Sequence, residues 1–260
     1  LQLKEVETPT PKEDEVLIKV HAAAASRADT EFRRLKLPLF FAFFLRLYLG
    51  LFKPTRIKIL GTEFAGEIVS VGKEVTQYQP GDQVYGYTGL GMGTYAEYLC
   101  LSENPSALAS VMARKPANIT YEEAAAVPFG GLEALHSLRQ VNIQPGQKVL
   151  IVGAGGSIGT YSVQLAKYYG AEVTGVDHTV KLDMLRSIGA DHVIDYTKED
   201  FTKNVQTYDV IMDTIGKSPF ARSLRSLKEH GTYLNANLGL FGGVRMRWLS
   251  RNSSKRVVPW

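Results

Sequence analysis

The chain has 260 residues, more than one hydrophobic core usually covers, so two domains are expected. Its 45% hydrophobic and 22% charged content suit an ordinary globular protein, and Lys+Arg 30 against Asp+Glu 26 leaves only +4. With no long basic run and no interleaved aromatics, that excess does not argue for nucleic acid, and no nucleic-acid partner is expected. The single cysteine, Cys100, excludes an internal disulfide and any zinc site built on several thiolates, and it is consistent with a reducing, cytoplasmic setting.

In chain order, the first half is rich in short strands. Runs at 15–24, 66–72, 83–87 and 95–101 carry β-branched or aromatic residues and are separated by turn signals such as "QPGD" at 79–82. Between the first two lies "LKLPLFFAFFLRLYLGLF" (35–52), interrupted by Lys36, Pro38, Arg46 and Gly50. Its uncharged run is too short to span a bilayer, so a buried or pocket-covering insertion is expected and no membrane partner. "ITYEEAAAVPFGGLEALHSLRQ" (119–140) opens with Thr120 and Glu123 in capping-box spacing and predicts helices broken at Pro128 and at Gly130-Gly131.

From Lys148 the pattern alternates. Strands are expected at 148–153, 172–177, 192–195, 208–213 and 231–236, with helices near 157–169, 180–188, 199–206 and 218–228. Such alternation requires crossover connections and therefore a parallel α/β sheet. The domain division is placed at 1–120 and 121–260.

The turn after the first of these strands carries the chemistry. Val149 to Val152 reads as a buried parallel strand, followed by Ala154-Gly155-Gly156-Ser157-Ile158-Gly159, an A-x-G-x-x-G form of the dinucleotide fingerprint. Gly156 would admit the pyrophosphate and Gly159 the close packing of the next helix, whose free N–H groups face the phosphates. Asp177 ends the second strand, where a carboxylate can accept ribose hydroxyls or cap the next helix. His178, Thr179 and Lys181 follow at once and suit a 2′-phosphate instead.

Several stretches together resemble the medium-chain dehydrogenase/reductase superfamily in its zinc-free, quinone-oxidoreductase-like branch: "EVLIKVHAAAAS", "ILGTEFAGEIVSVGKEVTQYQPGDQVYGY", "KPANITYEEAAAVPFGGLEALHSL", "PGQKVLIVGAGGSIGTYSVQLAKYYGAEVTGVD" and "IGADHVIDYTKEDF". The resemblance implies a GroES-like β-domain followed by a Rossmann doubly wound sheet. It implies a nicotinamide cofactor, with NADP(H) preferred over NAD(H), and hydride transfer to a small hydrophobic quinone, enone or related carbonyl compound, in a homodimer. An alcohol dehydrogenase on the same scaffold, or a cofactor-binding protein with little turnover, are the alternatives.

It also implies the absence of zinc, because Ser26 and Thr62 stand where zinc-dependent relatives place cysteine and histidine, and hydroxyls are poor zinc ligands. Ser26, Thr62 and Tyr48 become the catalytic candidates, and Arg27 a pyrophosphate contact. Asp29 and Glu63 are expected to orient neighbours. Glu133 replaces a threonine near the nicotinamide, and His136 is expected to be a plain helix residue. Thr214 in "DTIG" (213–216) and Asn235 in "NANLG" (235–239) would face the nicotinamide. The family continues beyond both ends of this sequence, which resembles a piece of the whole, with "KRVVPW" (255–260) opening a sixth strand.

Overall fold

The computed structural model describes residues 2–34, 59–104, 110–235 and 253–259. The chain forms two compact units, residues 1–129 and 130–260.

The first unit is built on a five-stranded antiparallel sheet. Its strands are β1 (Glu15–Ala24), β2 (Glu63–Val71), β3 (Gln83–Tyr87), β4 (Tyr98–Ser102) and β5 (Val111–Arg114), in the order β4-β1-β2-β3-β5. Alternation along β1 buries Val16 and Ile18 against Phe64, Ile68, Val84 and Leu99, the period-2 pattern of a sheet with one covered face. Two register irregularities in the β1–β2 ladder, after Leu17 and after Val20, bend the pair. Helix α1 (Arg27–Arg34) follows β1, and α2 (Tyr121–Ala125) carries the expected capping box, with Glu123 N–H donating to Thr120 Oγ1 and Thr120 N–H to Glu123.

Pro128 marks the expected break between α2 and the next helix. It starts α3 (Pro128–Val141), where its missing N–H costs nothing. Gly130 sits inside that helix without ending it, and a Cβ there would lie 2.3 Å from Ser157 Oγ and 3.0 Å from the Tyr161 ring.

The second unit is a six-stranded parallel sheet of β6 (Lys148–Val152), β7 (Glu172–Asp177), β8 (His192–Asp195), β9 (Tyr208–Asp213), β10 (Leu227–Asn235) and β11 (Arg256–Pro259), ordered β11-β10-β9-β6-β7-β8. Both faces are covered: Val149 and Ile151 enter one apolar cluster and Leu150 the other. This is why β6 reads as a continuous apolar run. Helices α4 (Ser157–Tyr168), α5 (Leu182–Ser187) and α6 (Phe220–Ser223) provide crossovers. The strand order reverses between β6 and β9, so a crevice opens at their carboxyl ends, the ligand position in open α/β sheets. Together the two sheets give the expected α/β, Rossmann-type architecture.

Two expected helices are shorter. At 199–206 only a 3₁₀ turn forms, Phe201–Lys203, because Asp200 accepts from both the N–H and hydroxyl of Thr202 and diverts the chain from a helix. At 218–228, α6 gives way to a 3₁₀ turn, and β10 already begins at Leu227, with a register shift before Thr232.

Candidate functional site

At the end of β6 the chain turns sharply. Gly153, at φ +75°, and Ala154 both donate N–H to Val176 O of β7, and Gly156 N–H donates to Gly153 O. Gly156 caps α4 with no side chain, so the first N–H groups of that helix keep neither an intrahelical acceptor nor a capping oxygen. A Cβ on Gly156 would meet only Gly153 O, at 3.4 Å, and would otherwise stand in open space. A Cβ on Gly159 would lie 2.3 Å from Gly153 O and 2.6 Å from Ala154 Cα. One glycine therefore leaves room for a ligand and the other for helix–strand packing. Open space before a bare helix N-terminus fits an anionic phosphate. Ala154 is buried under the turn, and Ser157 and Ile158 form the first turn of α4.

Asp177, at the end of β7, is engaged within the protein. Its Oδ2 accepts from Gly155 N–H at 2.7 Å and its Oδ1 from His178 N–H at 2.8 Å. Lys181 Nζ donates to Gly155 O at 2.9 Å and stands 3.7 Å from the Asp177 carboxylate. The cap of the following turn is His178, whose Nδ1 accepts from Val180 N–H. Tyr196, absent from the sequence candidates, packs edge-on to the His178 ring at 6.0 Å and is 58% exposed. Its N–H donates to Asp177 O, which fixes it beside the end of β7. Only the pairing of β8 with β7 brings it there.

Across the crevice, Thr214 donates its N–H and its Oγ1 to Val152 O, at 3.1 and 2.9 Å. It thereby ties the loop after β9 to the glycine turn. Asn235 is buried at the end of β10, paired in register with Asp213.

The first unit holds a separate polar cluster. Ser26 and Asp29 form a reciprocal cap on α1: Asp29 N–H donates to Ser26 Oγ at 3.2 Å, and Ser26 N–H donates to Asp29 Oδ2 at 2.8 Å. Ser26 Oγ also donates to that oxygen at 2.7 Å, and Thr62 Oγ1 donates to Oδ1 at 3.2 Å. The S-x-x-D spacing announces this cap. Tyr95, also missed by the sequence, donates to Ala24 O at 3.3 Å. Partial burial, with the nearby Asp29 and Glu63 charges, pushes its phenol up to about 12. Glu63 is 5% exposed and accepts from Phe129 N–H at 2.9 Å. Burial, then the Asp29 charge, raises its carboxyl above the ordinary range against the lowering effect of that bond.

The positions discussed for zinc therefore present two hydroxyls turned onto one carboxylate, not nitrogen or sulfur ligands. Among the described residues no group of three or more His, Cys, Asp or Glu is placed to hold a metal.

Arg27 makes an exposed ion pair with Glu31 at 2.8 Å. Glu133 is half-buried on α3 and has an interaction partner, and His136 is exposed. Tyr48, the apolar stretch at 35–52, and residues 236–239 of the "NANLG" stretch lie outside the described residues. Among the described residues no helix is long and apolar enough to cross a membrane.

Comparison with known proteins fits both units. The alcohol dehydrogenase GroES-like domain model matches residues 12–110, and the zinc-binding dehydrogenase model matches 157–244. A chloroplastic quinone-oxidoreductase homolog of Spinacia oleracea is 30% identical over 271 aligned positions, covering 98% of this chain and 76% of that protein. The chain belongs to the medium-chain dehydrogenase/reductase superfamily. Within that superfamily it falls in the quinone-oxidoreductase-like branch.

Further likenesses agree. The 2-methylene-furan-3-one reductase of Solanum lycopersicum is 34% identical over 239 residues, 87% of this dehydrogenase/reductase chain and 56% of that protein. The structure of the Escherichia coli quinone oxidoreductase complexed with NADPH superimposes with a TM-score of 0.77 at 26% identity, covering 99% of this chain and 76% of that one. The chain spans little more than half the length of the first curated relatives it matches.

Proposed function

We propose that this chain is the core of a zinc-independent, NAD(P)H-dependent oxidoreductase acting on a small hydrophobic enone, quinone or related carbonyl compound. The observation that carries the reading is the glycine turn, where Gly156 leaves open space before the uncapped N-terminus of α4 at the strand-order reversal of a parallel sheet. The names of the tomato reductase and of the NADPH-bound bacterial quinone oxidoreductase point the same way.

The chain's own residues divide the work. The first N–H groups of α4 hold the pyrophosphate, in the space that Gly156 leaves open. Asp177 spends both carboxylate oxygens on Gly155 and His178, so it orders the turn more than it solicits a ribose. Lys181, which stands beside the Asp177 carboxylate at the end of β7, offers positive charge at the adenosine end, which favours NADP(H). Thr214 and Asn235 belong to the nicotinamide end. A bound reduced nicotinamide supplies the hydride. For the Ser26 or Thr62 hydroxyl to polarise a substrate oxygen, it must turn its hydrogen away from Asp29, to which both now donate.

The test is oxidation of NADPH and of NADH, each with a chelator present, against a panel of quinones and enones. Turnover that survives the chelator with NADPH favoured supports the reading. Turnover abolished by the chelator overturns its metal-free part, and tight cofactor binding without any turnover replaces it with a cofactor-binding protein.

A further inference from the structure

Asp213, the last residue of β9, is 0% exposed. Among the described residues no lysine or arginine forms an ion pair with it. Its charge is met by hydrogen-bond donors instead. Oδ1 accepts from Ile215 N–H at 3.0 Å and Gly216 N–H at 2.8 Å, while Oδ2 accepts from Ser218 N–H at 2.9 Å and the Tyr233 hydroxyl at 3.1 Å. Three of the four donors are backbone groups of one short loop, and the fourth comes from the neighbouring strand β10. Burial, with Asp213 alongside, keeps the Tyr233 phenol protonated far above its ordinary range, so it remains a donor.

That loop is held at its other side as well. Thr214 donates twice to Val152 O, and Gly153 is so close that a Cβ there would lie 2.6 Å from both Thr214 Oγ1 and Ile215 Cγ1. The loop after β9 and the glycine turn after β6 are thus locked into one body at the crevice. Asp213 has no free oxygen to offer a ligand, so its contribution is to the shape of the loop.

We propose that Asp213, closed by Tyr233, is a positioning residue that fixes the Thr214–Ser218 backbone so that it holds the nicotinamide half of the dinucleotide. The inference rests on the nucleotide reading above, and it assigns different parts of the cofactor to different devices. The glycine turn with Lys181 serves the adenosine diphosphate half, and the Asp213 loop serves the other half.

Only a carboxylate satisfies all four donors. In Asp213→Asn, one oxygen still serves Ile215 and Gly216, but the amide NH₂ faces Ser218 N–H, another donor. Tyr233 can rotate to accept, whereas a backbone N–H cannot. Tyr233→Phe is the milder variant, since it leaves the three backbone donors in place.

The experiment measures dissociation constants for ADP-ribose and for NADPH (NADH, if the protein prefers it), with single-turnover hydride transfer, in the unsubstituted protein and both variants. In Asp213→Asn the dinucleotide should bind about tenfold more weakly and transfer hydride correspondingly more slowly, the scale of one lost charge-assisted hydrogen bond. ADP-ribose affinity should fall less than dinucleotide affinity, since ADP-ribose lacks the half assigned to the loop. Tyr233→Phe should move the dinucleotide alone in the same direction by about threefold, and it decides the matter if Asp213→Asn does not fold. Equal loss of both ligands, or no loss of either, overturns the positioning role. Failure of the unsubstituted protein to bind either ligand overturns the nucleotide reading, and this inference with it.

Discussion

Thr62 donates its hydroxyl to Asp29 Oδ1 at 3.2 Å across a sequence separation of 33, joining the start of β2 to helix α1. The other carboxylate oxygen takes the Ser26 hydroxyl and N–H. One buried side chain thus caps the start of a helix and fastens it to the sheet. Asp29→Ala leaves these donors without an acceptor and should cost about 2 to 4 kcal/mol, whereas Ser26→Ala should cost about 1 kcal/mol as an ordinary lost cap. Because the two share bonds, the double variant should lose less than the sum. Urea midpoints at constant slope measure all three, and strict additivity would contradict the shared network.

The two glycines of the turn should part company on substitution. Gly159→Ala drives a Cβ into backbone at 2.3 Å, which no rotamer relieves, and should destabilise by about 3 kcal/mol or more. Gly156→Ala meets one atom at 3.4 Å, so stability should change by less than about 1 kcal/mol. Its methyl group occupies the space assigned to the pyrophosphate, and dinucleotide affinity should fall at least about tenfold. Thermal melts paired with a cofactor titration separate the outcomes. Full cofactor affinity in Gly156→Ala would place the phosphates elsewhere.

These contrasts show what a linear sequence carries. Strands β1, β3, β7, β8 and β9 have the expected bounds, because burial on one or two faces imposes a periodicity that the residues display. The glycine turn was legible for the same reason, since its spacing is itself the geometry. The turn at 201–203 was not, because a single Asp200 side chain outcompetes the helix locally. Tyr196 escaped notice, and Asp213 stood in "DTIG" without a role of its own, on other grounds. Their partners, His178 just after β7 and Tyr233 on β10, are brought near only by the strand order. Ser26 is the instructive case: its S-x-x-D spacing spells a helix cap, yet its alignment with a metal ligand drew the chemical reading first.

Lys181 should decide between the two nicotinamide cofactors. Its ammonium stands 3.7 Å from Asp177 and 42% exposed, near enough to the end of β7 to meet a 2′-phosphate. Lys181→Met should weaken NADPH about tenfold and leave NADH within about threefold, with the NADPH loss shrinking at high salt. Parallel titrations with both cofactors at two ionic strengths give the answer. Equal losses would mean that Lys181 acts through Gly155 O, to which it also donates, and not on the phosphate.

Glu63 should make stability depend on pH in the direction opposite to most carboxylates. Burial leads the causes that raise its carboxyl above the ordinary 4.5, and the Asp29 charge adds to it. A group raised on folding stabilises fully below its unfolded value, and that contribution is lost as pH climbs through the folded value. At neutral pH the ionised side chain is therefore held in unfavourable surroundings. Glu63→Gln keeps an oxygen for the Phe129 N–H, the free donor at the start of α3, and removes the charge. The variant should be more stable than the parent by on the order of 1 kcal/mol at neutral pH, and the advantage should vanish toward about pH 4. Denaturant midpoints from about pH 4 to about pH 8 test it. An offset that stays flat, or grows on acidification, would mean that Glu63 is ionised at no cost and that its bond to Phe129 outweighs burial.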